Sequence, residues 1–143
     1  MTVRSFLDTN VLLYAYDPSD RIKRRVALAI MEGLSISRCG VISTQVLGEF
    51  FSVATRKFHM PAATAYARLA HFVQAFDVAG VTPDIVLEAA RDAIRRQINF
   101  WDAQLLAVAR AERIPVILSE DLQDGAVLDG VRIVNPFRAD LVT

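Results

Sequence analysis

Short apolar runs alternate with longer helical patterns along most of the chain, and this alternation limits the folds available to it. The strand-like runs are Val3 to Leu7, Val41-Ile42, Val78 to Val81, Pro115 to Ser119 and Val131 to Val134. Strands separated by helices normally pair in parallel, with the helices packed on both faces of the sheet. The pattern therefore predicts the α/β class with a mostly parallel sheet.

The helical segments between these runs have recognisable boundaries. Asp20, Thr82 and Asn99 can cap helices, and Pro83 suits a first helical turn. Apolar positions recurring every three or four residues indicate the helical stretches. The predicted helices are Asn10 to Tyr16, Asp20 to Gly33, Thr44 to Lys57, Pro61 to Phe76, Pro83 to Gln97 and Phe100 to Glu112. Residues 120–130 read as a polar loop.

Length and composition set the broad class. The 143 residues fit one domain, spanning 1–143, since domains cluster near ~100–150 residues. Hydrophobic residues make up 53% of the chain, and mean hydropathy is +0.32. That is apolar for a small protein, and a partner surface on a second copy or another protein would account for the excess.

Charge, cysteine content and hydropathy point to a protein of the reducing cytoplasm. The formal net charge is zero, so no global positive field exists to hold nucleic acid non-specifically. The single Cys39 excludes an internal disulfide. The chain shows neither a signal-peptide pattern nor an apolar stretch near the ~20 residues that cross a bilayer. We expect a cytoplasmic protein with no membrane partner.

Four acidic residues in or beside apolar segments are the candidate functional groups: Asp8, Glu49, Asp102 and Asp121. A carboxylate in apolar surroundings is costly unless it is paired or bound to a metal. Ligands of parallel sheets bind beyond the carboxyl ends of the strands, which is where Asp8 and the segment 119–121 fall. Asp102 continues the apolar face of its helix.

Each acid also has a structural interpretation. Asp8 could cap a helix, Glu49 could face solvent, and Asp102 could be a first-turn acid that reciprocates the Asn99 cap. Asp121 could be a turn residue, and Asp124 is an alternative or additional ligand. Trp101 could pack at a helix entry, with base stacking as the alternative.

Taken together, the acids favour a divalent cation. Two carboxylates ~4 Å apart repel by about 4 kcal/mol at an effective dielectric near 20, and four repel by more. A cation held by oxygen ligands alone is Mg²⁺ or Mn²⁺, and magnesium often completes its shell with phosphate oxygens. The expected chemistry is therefore hydrolysis of a phosphate ester.

At these residues the chain resembles PIN-domain proteins of the VapC type, the toxins of bacterial toxin–antitoxin pairs. The matching segments are Asp8-Thr9-Asn10 after the first strand, Ser43 to Phe50, Phe100 to Leu106, and Ile117 to Gln123. The resemblance covers nearly the whole chain. It implies a three-layer α/β/α sandwich and a site in which Asp8, Glu49, Asp102 and Asp121 bind Mg²⁺ or Mn²⁺. Thr9, Asn10 and Ser43 would support that site.

The resemblance also implies an activity and partners. The family cleaves single-stranded RNA as a metal-dependent endoribonuclease, a hydrolase that uses metal-activated water. Its members are usually homodimers, inhibited by a small antitoxin protein. Two alternatives remain. One is a non-catalytic PIN-like binding or assembly module whose acids only cap helices. The other is an aspartate-dependent phosphatase, for which Asn10 stands where that chemistry needs a second acid.

Overall fold

The structure, a computed structural model, describes residues 3–138 as strands alternating with helices. The strands are β1 (Ser5–Leu7), β2 (Gly40–Ser43), β3 (Asp77–Ala79), β4 (Val116–Leu118), β5 (Val127–Leu128) and β6 (Val131–Val134). The helices are α1 (Thr9–Tyr14), α2 (Arg21–Ser37), α3 (Thr44–Arg56), α4 (Ala62–Ala75), α5 (Pro83–Arg96) and α6 (Phe100–Ala111). The prediction of one domain over 1–143 extends beyond the described residues at both ends and stays a prediction.

The strands form one sheet in the order β3-β2-β1-β4-β6-β5. Every neighbouring pair is parallel except β5 and β6, so the predicted α/β class with a mostly parallel sheet flanked by helices is confirmed. The chain moves outward from β1 through β2 to β3, and then returns to place β4 on the other side of β1. The carboxyl ends of β1 and β4 therefore flank a topological switch point, where ligands of such sheets bind.

The predicted helix caps form. Helix α1 ends two residues early, at Tyr14, β3 begins one residue and ends two residues earlier than predicted, and two further differences are larger. The side chain of Asp20 accepts from the Lys23 backbone N–H, and Thr82 accepts from Ile85. Helix α2 continues past Gly33 to Ser37, because buried Leu34 anchors its last turn and outweighs the ~1 kcal/mol cost of a helical glycine.

The second difference lies in the segment predicted to be a polar loop, which contains β5. Strands β5 and β6 are joined by Asp129-Gly130, whose φ angles are 52° and 84°. Positive φ at both central residues is what a two-residue hairpin of this kind requires, and Asp-Gly is a strong signal for it. The strand was missed because it has only two residues.

Helix α6 is buried on all sides in its middle, from Ala103 to Ala109. Such a helix is apolar all round because it is surrounded by protein. It accounts for part of the hydrophobic excess. It also fixes the position of Asp102, which precedes the buried stretch.

Gly40→Ala is expected to destabilise the fold by about 1–3 kcal/mol. A Cβ at Gly40 would lie 2.5 Å from Cδ1 and 2.9 Å from Cε1 of Phe76, a ring that is only 6% exposed. Gly33→Ala is the matched control, because its Cβ would meet nothing within 4 Å and alanine favours the helix by up to ~1 kcal/mol. Urea unfolding measures both. Equal midpoints for the two variants would contradict this packing.

Candidate active site

The structure brings the four sequence-predicted acids to the switch point. Asp8 follows β1, Asp121 comes soon after β4, Glu49 lies on α3, and Asp102 lies in the first turn of α6. Asp8 is close enough to Glu49 and Asp121 for their charges to raise its pKa, and the same two residues raise the pKa of Asp102. Four distant segments of the chain thus contribute to one acidic pocket.

Asp8 is the most deeply buried acid of the pocket, with 6% of its surface exposed. Its Oδ1 accepts from the Thr9 backbone N–H at 2.7 Å, and its Oδ2 accepts from Ser119 Oγ at 2.6 Å. Burial raises its pKa to about 6, with Asp121 and Glu49 adding to the rise and the two hydrogen bonds opposing it. Asp8 also caps α1, so its structural interpretation is confirmed, while its role in binding a cation stays a prediction.

Glu49 is half-buried, and both of its carboxylate oxygens are held. Thr9 Oγ1 donates to Oε2 at 2.8 Å, and Gln45 Nε2 donates to Oε1 at 2.7 Å. Gln104 Nε2 in turn donates to Gln45 Oε1 at 2.6 Å. The solvent-facing interpretation of Glu49 is therefore wrong, because this side chain is fixed toward the pocket by neighbours on three helices.

Asp102 does not act as a helix cap. The Asn99 side chain caps α6 by accepting from the Trp101 backbone N–H at 2.8 Å. Within residues 3–138 the Asp102 carboxylate accepts no hydrogen bond, and burial followed by repulsion from Asp121 and Glu49 raises its pKa. A half-buried carboxylate without donors is available to a ligand.

Ser119 is a site residue that sequence reasoning did not single out. It is fully buried, donates to Asp8, and accepts from the Asp121 backbone N–H at 3.2 Å. Ser119 thereby links Asp8, which follows β1, to Asp121, which follows β4. The signal that could have found it is its position directly after β4, at the switch point. The glutamines 45 and 104 carried no comparable signal.

The supporting residues hold backbone and carboxylates in place. Thr9 binds Glu49, as described above. Asn10 Oδ1 accepts from the Glu120 backbone N–H at 3.4 Å. Ser43 is fully buried and caps α3, the helix that carries Glu49, by accepting from Val46 at 3.2 Å. Their part in function stays a prediction.

Two further acids near the pocket are engaged elsewhere. Asp124 accepts from the Asn135 backbone N–H at 2.7 Å and pairs with Arg138, so both of its oxygens have partners. Its role as an alternative or additional ligand stays a prediction. Glu120 accepts from Tyr14 Oη at 2.6 Å and pairs with Lys23. No local sequence pattern indicates that this tyrosine and lysine hold Glu120.

The donor set of the pocket fits a hard divalent cation, since it offers carboxylate oxygens that repel one another. Within residues 3–138, no group of three or more His, Cys, Asp or Glu side chains is close enough to hold a metal ion. The acids thus interact through their charges across the pocket. Their roles as metal ligands stay a prediction.

Comparison with known proteins identifies the family of the chain. The family model described as PIN domain matches residues 5–123, a span that includes all four acids of the pocket. This chain belongs to the PIN domain family. The resemblance seen in the sequence is thereby confirmed at family level. No curated protein matches the chain.

Solved structures with the same PIN fold include members of toxin–antitoxin pairs. A toxin–antitoxin complex from Klebsiella pneumoniae is 22% identical, with a TM-score of 0.68 over 93% of this chain and 98% of that one. VapC20 from Mycobacterium tuberculosis, a toxin that cleaves the sarcin–ricin loop, is 25% identical, with a TM-score of 0.65 over 82% and 91%. DNA-bound VapBC from Salmonella typhimurium is 17% identical, with a TM-score of 0.64 over 92% and 96%.

Asp8→Asn should make this PIN domain more stable at neutral pH when divalent ions are removed. The pKa of Asp8 is 3.8 in the unfolded chain and about 6 in the folded protein. The contribution of Asp8 to the free energy of unfolding is therefore fully present below pH 3.8 and is lost as pH rises through about 6. At 1.36 kcal/mol per pKa unit, the loss is about 3 kcal/mol, which asparagine avoids while still capping α1. Urea unfolding in chelator at pH 4 and 7.5 measures the difference between variant and wild type. A difference that does not change with pH would contradict the burial of a charged Asp8.

Proposed function

We propose that this PIN domain is an Mg²⁺- or Mn²⁺-dependent endoribonuclease that cleaves single-stranded RNA, and that it is the toxin of a toxin–antitoxin pair. The observation that carries the proposal is the gathering of Asp8, Glu49, Asp102 and Asp121 at the switch point, with raised pKa values for Asp8 and Asp102. Acids that only capped helices would have no reason to converge, and Asp102 caps nothing. A non-catalytic module is therefore the weaker interpretation.

The side chains of the pocket have separable roles in this proposal. Asp8, Glu49 and Asp102 would hold the cation, directly or through water, and Asp121 would help to orient the cation or the attacking water. A divalent ion bound there supplies positive charge to the scissile phosphate and lowers the pKa of the water. Thr9, Gln45 and Ser119 hold the carboxylates in position, so that less ordering is needed when substrate binds.

The direct test is an RNA cleavage assay on the purified protein. Single-stranded RNA should be cleaved with Mg²⁺ or Mn²⁺, protected by a chelator, and cleaved again when metal is restored. Because water attacks the phosphorus, the products should carry a 5′-phosphate and a 3′-hydroxyl. Chelator-resistant cleavage leaving a 2′,3′-cyclic phosphate would contradict the proposal, since it would mean attack by the ribose hydroxyl.

An antitoxin and a second copy of the chain are the proposed protein partners. The support is a set of large apolar side chains that are more than half exposed: Ile22, Ile36, Tyr66, Val73, Leu87 and Ile94. Leu87 and Ile94 lie seven residues apart on α5 and so share one face of that helix. Light scattering on the isolated protein gives the oligomeric state.

None of the helices in residues 3–138 is long and apolar enough to span a bilayer. A cytoplasmic location stays a prediction. So does the single nuclease domain over 1–143.

A further inference from the structure

A cavity of ≈560 Å³ opens beside the acidic pocket. Glu49 lines both, and Trp101 on the cavity wall directly precedes Asp102 in the chain. A molecule bound at the acids would therefore have this cavity next to it. A volume of this order is typical of small-ligand sites in proteins.

The apolar part of the cavity suits a flat ring. Trp101 is 55% exposed, which is unusual for a residue that is mostly buried on average. Phe100 braces its ring edge-to-face, with the centroids 5.0 Å apart. Gly48 leaves bare backbone on the wall, where a Cβ would meet nothing within 4 Å, and Val81 adds an apolar side.

The polar part of the cavity presents an unused hydrogen-bond acceptor. Gln104 is only 4% exposed, and its Nε2 is committed to Gln45, whose own Nε2 is committed to Glu49. Within residues 3–138, the Oε1 of Gln104 accepts no hydrogen bond. Because Gln104 lines the cavity, this oxygen is open to water there, and a ligand N–H can take the place of that water.

The charge of the cavity argues against an anionic occupant. Its lining residues, all within the described part of the chain, include no cationic side chain, and Glu49 is negative. A phosphate or carboxylate group would be repelled there. A neutral aromatic ring with N–H groups on its edge fits, because it can stack on Trp101 and donate to Gln104.

We propose that this cavity binds one unpaired base of the RNA substrate, next to the phosphate held at the acids. The inference rests on the proposed ribonuclease function and deepens it. A base engaged in a duplex cannot enter the cavity, so the site would itself enforce cleavage of single strands. Trp101 and Gln104 are then binding residues that position the strand, while the acids act on the phosphate.

The chain offers its own reporter, because Trp101 is its single tryptophan. The full-length Asp102→Asn variant is titrated in Mg²⁺ with a single-stranded oligoribonucleotide, and separately with the same oligonucleotide annealed to its complement. We expect the single strand to quench the Trp101 emission and the duplex to leave it unchanged. Absence of quenching by a single strand that wild-type protein cleaves would overturn the proposal.

The kinetics of RNA cleavage provide a second test of the base site. Trp101→Ala should raise KM about 5- to 100-fold with little change in kcat, because base stacking is uniform binding that holds equally in substrate and transition state. Trp101→Phe should recover most of the loss. Unchanged Mn²⁺ affinity in both variants shows that the neighbouring Asp102 is undisturbed.

The outcomes separate the two proposals. If single-stranded RNA quenches the Trp101 emission but the wild-type protein does not cleave it, the ribonuclease proposal is contradicted and the base site is supported. Cleavage with an unchanged KM in Trp101→Ala would overturn the proposed base site and leave the ribonuclease proposal intact.

Discussion

Asp102→Asn will reduce RNA cleavage by about 10²–10³-fold without unfolding the protein. The carboxylate of Asp102 is half-buried, accepts no hydrogen bond within residues 3–138, and has its pKa raised by burial and by two neighbouring acids. The native environment thus disfavours its charge. A neutral amide of the same shape relieves that repulsion, so the free energy of unfolding should stay level or rise. Initial rates on single-stranded RNA and urea unfolding measure the two effects.

The chain contains a well-matched control for this substitution. Asp84 is also an acid in the first turn of a helix, α5, but its side chain is exposed. Asp84→Asn makes the same chemical change in the first turn of another helix, and cleavage should be unaffected. Equal activity of the Asp102→Asn variant and the wild type would remove Asp102 from the catalytic site.

Arg110→Met will destabilise the fold by about 3 kcal/mol, the lower end of the cost of breaking a buried ion pair. The Arg110 side chain on α6 is 15% exposed and pairs with Asp92 on α5, whose side chain is 5% exposed. It also reaches Glu88 and Asp129. Its loss leaves Asp92 with Arg95 alone, at 2.8 Å. Thermal or urea unfolding at pH 7 measures the change.

A control variant and a double variant test whether the unpaired Asp92 carboxylate causes the loss of stability in Arg110→Met. Arg91 lies on α5 as well but is exposed, so Arg91→Met should change stability by less than about 0.5 kcal/mol. The double variant Asp92→Leu with Arg110→Met removes both charges and should recover much of the loss. A double variant as unstable as Arg110→Met would mean that packing, and not the unpaired carboxylate, causes the effect.

The ion pair between Asp92 and Arg110 also makes the stability of the fold depend on pH. Burial opposes the Asp92 charge, but Arg110 and Arg95 together hold its pKa below the ordinary value. A depressed pKa contributes stability that is present above the unfolded value and is lost as pH falls through the folded one. The Arg110→Met variant should therefore lose less stability than the wild type on acidification.

The parts of the fold that could be predicted are those in which local pattern and tertiary environment agree. Strand β6 and the start of α5 follow directly from a short apolar run and from Thr82-Pro83, and both occur as predicted. The convergence of Asp8 and Asp121 was predictable too, because both follow strands whose carboxyl ends meet at one edge of a parallel sheet.

The parts that could not be predicted depend on contacts between distant segments. Nothing local in Gln45 or Gln104 indicates that they meet, since they lie on separate helices and hydrogen-bond only when α3 and α6 pack together. The far end of α2 depends on Leu34 being buried, which its sequence neighbours do not reveal. Propensity alone favours an earlier end at Gly33.

The switch-point topology has a consequence for synthesis of the protein. Because β4 completes the pocket by pairing with β1, a nascent chain that has not yet released residues 116–121 from the ribosome lacks both Ser119 and Asp121. It carries isolated acids and no assembled pocket. Any activity of the assembled pocket would thus begin only after residues 116–121 have left the ribosome.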